Sequence, residues 1–114
     1  MIKNFFNTNK NMVLQDYEKQ LIKMYREVKE LYVSDRAIER IATLVNEAFN
    51  IAEKHNLSHF KNNVRQTRDK QLAMLLMYKD RPKLRIQRWD ETKNNFIQDF
   101  EEYLGHEKLS QNIE

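Results

Sequence analysis

A chain of 114 residues with a single glycine, Gly105, and a single proline, Pro82, has little with which to reverse direction tightly. Sheets need a turn at every strand reversal, and hairpins draw on Gly, Pro, Asn and Asp, which tolerate or preset the backbone angles a tight reversal imposes. Long helices joined by short polar connections need far fewer such residues. The apolar pattern points the same way. Leu14, Tyr17, Leu21, Met24, Tyr25, Val28, Leu31 and Tyr32 recur at steps of three and four, the period of one helix face. The sequence predicts an all-α fold, an antiparallel bundle of about four helices with short connections. A helical domain containing a helix-turn-helix unit is the structural alternative.

Punctuation along the chain places the helices. The first runs from about Met12 to Tyr32. Ser34 is suited to cap the second, because its hydroxyl can accept from the free amides of a first turn, and Asp35 favours the positive end of the helix dipole. Ile38, Ile41, Val45, Ala48, Phe49 and Ala52 continue that helix to His55, where Asn56 can take the left-handed closing turn. Ser58 is expected to cap a third helix reaching about Tyr78. Its first half is polar and basic, whereas residues 72–78 are apolar all round and need cover from the bundle or from another subunit. Pro82 interrupts, since the residue before a proline avoids the helical region.

A fourth helix then carries Trp89, Phe96, Ile97, Phe100, Tyr103 and Leu104, and Gly105 ends it. Residues 83–88 alternate with a period of two, so a short extended stretch before that helix is an alternative start. Residues 1–11, with Phe5 and Phe6, form a flexible N-terminal arm in this reading. Residues 12–105 form one helical domain, and residues 106–114 a flexible tail.

Charge is divided unevenly along this frame. Residues 1–53 hold eight basic and eight acidic side chains. Between Lys54 and Arg88 stand ten basic residues against only Asp69 and Asp80, and residues 89–114 hold two basic and seven acidic ones. The modest net charge of +3 thus hides a basic centre followed by an acidic end. A clustered basic stretch attracts polyanions even on a nearly neutral chain. Lys61, Arg65 and Arg68 fall at steps of four and three, a row along one side of a helix that can follow successive phosphates. Asn62, Asn63, Gln66 and Thr67 are interleaved and could reach base edges. Lys79, Arg81, Lys83, Arg85 and Arg88 surround Pro82, and Tyr78 or Trp89 could stack on a base there, although both fit the core better.

Other chemistry is thinly represented. Without cysteine there is no disulfide, thiol nucleophile or thiolate metal site. With one glycine there is no phosphate-cradling loop, dinucleotide fingerprint or nucleophile elbow. His55 and His59 are four apart, but the expected turn between them breaks the shared face that metal ligation needs. Asp99, Glu101 and Glu102 read as one solvated face rather than carboxyls converging on a pocket, and they offer partners across the bundle that would mask the basic helix. The expectation is therefore no enzyme, metal, cofactor or small-molecule substrate. No apolar run approaches the roughly 20 residues a bilayer needs, and no secretory leader is evident, so a cytoplasmic location is expected.

The function expected from these residues is a small helical nucleic-acid-binding protein, regulatory or accessory, acting as a homodimer, with DNA placed ahead of RNA. The alternative is a protein-binding module (an inhibitor, immunity protein or assembly adaptor) that uses Met74 and Met77 as an adaptable contact surface. Small size, scarce glycine and abundant Asn and Lys give a composition that resembles proteins encoded on AT-rich bacterial phages and plasmids. No motif assigns a family.

Overall fold

The computed structural model describes residues 13–113, and the N-terminal arm of the sequence reading lies outside them. Helix α1 spans Asp16–Glu30, α2 spans Asp35–Lys54 and α3 spans Ser58–Gln66. A π-helical stretch, Thr67–Leu72, continues α3 into the short α4, Ala73–Met77, so that these three form one rod. Helix α5, Pro82–Leu109, completes an all-α four-helix bundle with no strand among the described residues. Its neighbours run antiparallel. Arg40 of α2 bonds Glu27 of α1, Lys61 of α3 pairs with Glu53 of α2, and Thr67 bonds Asp99 of α5.

Local chemistry explains most boundaries. In α1, Gln15 and Glu18 form a reciprocal capping box, and Val13 to Gln15 are not helical. Ser34 caps α2 as expected, its Oγ accepting from the Ala37 amide at 3.0 Å. Asn56 takes φ 57°, the left-handed turn that closes α2. Ser58 behaves differently. It is the first residue of α3, and Leu57, which cannot cap with its side chain, precedes it. Pro82 occupies the first turn of α5, where its missing N–H costs nothing. Residues 83–88 are therefore helical, and the extended alternative does not occur.

The core is built where the faces of α1, α2, the third rod and α5 converge. Phe100 is its hub, with ring centroids 4.6 Å from Phe96, 5.7 Å from Phe60 and 6.0 Å from Tyr25. Aromatic pairs at such separations add to the stabilisation from burial alone. The third rod needs a change of phase to join this core. Phe60, Val64 and Thr67 point inward at helical spacing, and an uninterrupted helix would next bring in Gln71. The wider π turn inserts one residue, so the buried position falls on Leu72 and then Leu75. Residues 72–78 are consequently not covered on every side: Leu76 and Met77 remain exposed.

Gly105 adopts φ 79°, a left-handed value that favours glycine, and the chain there turns back. Where the sequence suggests a frayed tail, residues 106–113 lie along α1. The Arg26 guanidinium donates to the carbonyls of Leu109 and Gln111, Lys108 pairs with buried Glu18, and Ile113 is buried.

Candidate nucleic-acid interface

The cations singled out in the sequence divide into two groups with different surroundings. The row on α3 and the π turn is engaged. Lys61 Nζ lies 3.4 Å from Glu53 and 5.6 Å from the Phe49 ring centroid. Arg68 stacks on the same ring at 4.6 Å while its Nε donates to Asp69 at 2.8 Å, which holds that carboxyl below its ordinary pKa. Arg65 between them donates to the Asn62 side chain and makes no ion pair among the described residues. The row thus exists, but two of its three charges lean on Phe49 and have carboxylates beside them.

The corner around Pro82 is more open. Lys79, Arg81 and Lys83 are exposed and make no ion pair among the described residues. Arg85 turns back across the corner, 2.9 Å from Asp35 at the start of α2, and reaches the Lys79 carbonyl at 3.4 Å. Arg88 pairs with Glu91 at 2.8 Å and lies 6.0 Å from the Tyr78 ring centroid, with its Nε buried and unpartnered. These two arginines brace the corner, and the three others face solvent. From Lys61 to Lys79 the rod rises roughly 27 Å, so the two groups stand well apart along a molecule 58 Å long.

The expected mask is absent among the described residues. Asp99 is buried and accepts from Thr67 at 2.5 Å, Glu101 accepts from Tyr25 at 2.8 Å, and Glu102 accepts from Asn63 at 3.1 Å. None of the three forms an ion pair with the basic rod. Burial pushes the Asp99 carboxyl up to about 6, against the pull of the Thr67 hydrogen bond and with added repulsion from Glu102. Tyr25 is raised as well, first by burial and then by its bond to Glu101.

The interleaved polar side chains are largely occupied. Asn62 holds Arg65, Asn63 holds Glu102, and Thr67 holds Asp99. Gln66 remains exposed beside a polar groove of about 290 Å3 between the π turn and α5. The stacking candidates change too. Trp89 is 3% exposed and belongs to the core, and Tyr78 is half-buried beside the Arg88 guanidinium. An aromatic that periodicity assigns to the α1 stripe stands outside instead: Tyr32 is 81% exposed, on the turn between α1 and α2. Helix α1 stops at Glu30, so Tyr32 follows the helix and does not share its inward face.

His55 stacks on Tyr17 at 4.1 Å after the end of α2, while His59 sits in the first turn of α3. Among the described residues no three His, Cys, Asp or Glu stand together as a metal would require, and no helix is long and apolar enough to cross a membrane. No family model matches the chain, and no curated protein or solved structure matches it.

Proposed function

We propose that this protein binds the phosphate backbone of a nucleic acid through the Pro82 corner, with the α3 row as a secondary contact. The observation that carries the reading is the free state of Lys79, Arg81 and Lys83. They are exposed, close in sequence about a chain reversal, and without carboxylate partners among the described residues. Cations already paired must break an interaction to engage phosphate; these three need not. Arginine at such a site also offers a planar fork that matches phosphate oxygens. The role would be regulatory or accessory, with DNA ahead of RNA and a homodimer as the acting form.

Binding to labelled duplex and single-stranded DNA across a series of salt concentrations tests the proposal. Phosphate contacts release counterions, so affinity should fall steeply and linearly on logarithmic axes as salt rises. Affinity for neither form at low salt defeats it. A second reading, a protein-binding module, is favoured by Met77, 67% exposed beside exposed Leu76. It predicts one protein captured at this end of the bundle, with cations that steer association rather than hold it.

A further inference from the structure

We infer that the nucleic acid is single-stranded, with its backbone on Lys79, Arg81 and Lys83 and a base stacked on Tyr32; this rests on the phosphate-binding reading above. The end of the bundle that carries the corner also carries the α1–α2 turn. Val33 of that turn lines one hollow together with Lys79, Pro82 and Ile86, and Asp35, Asp80 and Arg85 complete its lining, with Asp35 paired to Arg85. Seven residues after Ile86, on the same face of α5, Lys93 places its Nζ 5.4 Å from the Tyr32 ring centroid. Tyr32, Val33, Ile86 and Lys79 therefore stand at one end of the bundle, with Arg81 and Lys83 on either side of Pro82.

The ring is held ready. Lys93 Nζ donates to the carbonyls of Lys29, at 3.2 Å, and Leu31, at 2.7 Å, satisfying the open end of α1 and fixing the turn. Leu31 and Val33, on either side, are partly buried against the core. Tyr32 is thus presented outward by a turn anchored before and after it. Ile86, 53% exposed, extends the apolar surface towards the corner.

Free cations beside an accessible aromatic face are what an unpaired strand requires: charge for the backbone and a π-face for any base. A duplex keeps its bases stacked and offers the ring nothing. Duplex readout would instead use amides on base edges, and of the interleaved amides Asn62 and Asn63 are already engaged within the fold, which leaves Gln66.

The test compares the full chain with Tyr32→Ala, Tyr32→Phe and the triple variant Lys79→Ala/Arg81→Ala/Lys83→Ala. Each is titrated against a fluorescent single-stranded oligonucleotide and its duplex, with thermal melting to confirm folding. The native chain should prefer the single strand. Tyr32→Ala should lose about five- to a hundred-fold in that affinity, with its salt slope unchanged because no charge is removed. Tyr32→Phe should bind as the native chain does, since stacking needs the ring and not the hydroxyl. If the triple variant weakens binding while Tyr32→Ala does not, or if duplex is preferred, single-strand recognition is overturned and phosphate binding stands. If neither strand form binds any variant, both proposals fall and a protein partner takes their place.

Discussion

The α3 row and the Pro82 corner are both rich in lysine and arginine, yet their charges are differently available. The row lies on a rod with α2 packed beside it, so its long side chains meet neighbours. Lys61 and Arg68 find the Phe49 ring, Glu53 and Asp69 within reach. The corner lies where the chain leaves one helix and enters the next, and side chains at a reversal splay away from the bundle. Arg85 and Arg88 fall on the inner side of α5 and are tied to Asp35 and Glu91; Lys79, Arg81 and Lys83 are not. Composition alone weights the two regions alike. What separates them is whether a folded neighbour stands within a side chain's length.

The strongest way to break this contrast is to remove the corner. Each phosphate contact contributes about 0.9 to the logarithmic salt slope on duplex, and about 0.7 on a single strand. Losing three at roughly 0.1 M salt should weaken binding by about a hundred- to a thousand-fold and flatten the slope by about two to three. The melting temperature should stay put, because exposed unpaired cations contribute little to stability. Binding by Lys79→Ala/Arg81→Ala/Lys83→Ala that equals the native chain would make the corner idle surface charge.

Asp99 sharpens the contrast from the acidic side. Its carboxyl is held by Thr67 inside the bundle rather than spent on the basic rod. Its folded pKa, about 6, lies above its ordinary value of 3.8, so the folded state retains a proton that the unfolded state has lost. The associated stability is complete below about pH 4 and disappears as pH rises through 6. Urea unfolding at a series of pH values should show this fall, of order 2–3 kcal/mol, in the native chain and not in Asp99→Asn. A carboxylate that neutralised a cation would give the opposite slope, with stability gained as pH rises.

Much of this was legible in the residues. One glycine and one proline favoured helices, Ser34 and Asn56 marked both ends of α2, and Gly105 marked the break within α5. Less local effects were hidden. The step of five from Thr67 to Leu72 is hidden in the sequence, because Thr67 does not read as a core position and Val64 to Leu72 keeps helical spacing. Periodicity placed Tyr32 inside because it sees spacing and not where the helix stops. Glu101 and Glu102 are the solvated face that the sequence suggests, whereas Asp99 is buried, because its partner, Thr67, is distant in the chain. That a cation is free cannot be read from its own position, since freedom depends on every neighbour that tertiary folding supplies.

Removing the row should matter less than removing the corner. Lys61→Ala/Arg65→Ala/Arg68→Ala takes away one cation without an ion pair, Arg65, and two whose contacts with phosphate would first cost an existing pair. The expected loss is less than about tenfold in affinity, with the slope reduced by about one. Its stability should drop by about 1–2 kcal/mol, because both cation–π contacts with Phe49 are lost and exposed ion pairs add little. A row variant that binds worse than the corner variant would reverse the ranking of the two regions.

The smallest effect isolates the cause of the difference. Phe49 is the surface on which Lys61 and Arg68 rest, at 5.6 and 4.6 Å from its centroid. Phe49→Leu keeps most of the apolar bulk and removes the ring's attraction for cations. Stability should fall by about 0.5–1 kcal/mol for each cation–π contact that matters at this exposure. Nucleic-acid affinity should move the other way, rising by less than about threefold, because cations released from the ring meet phosphate at lower cost. Glu53 and Asp69 remain beside them, which keeps the gain small. Opposite signs in melting and binding are the signature of a surface whose charges are held by the fold. If both fall together, Phe49 is only packing, and the row is quiet for some reason other than its neighbours.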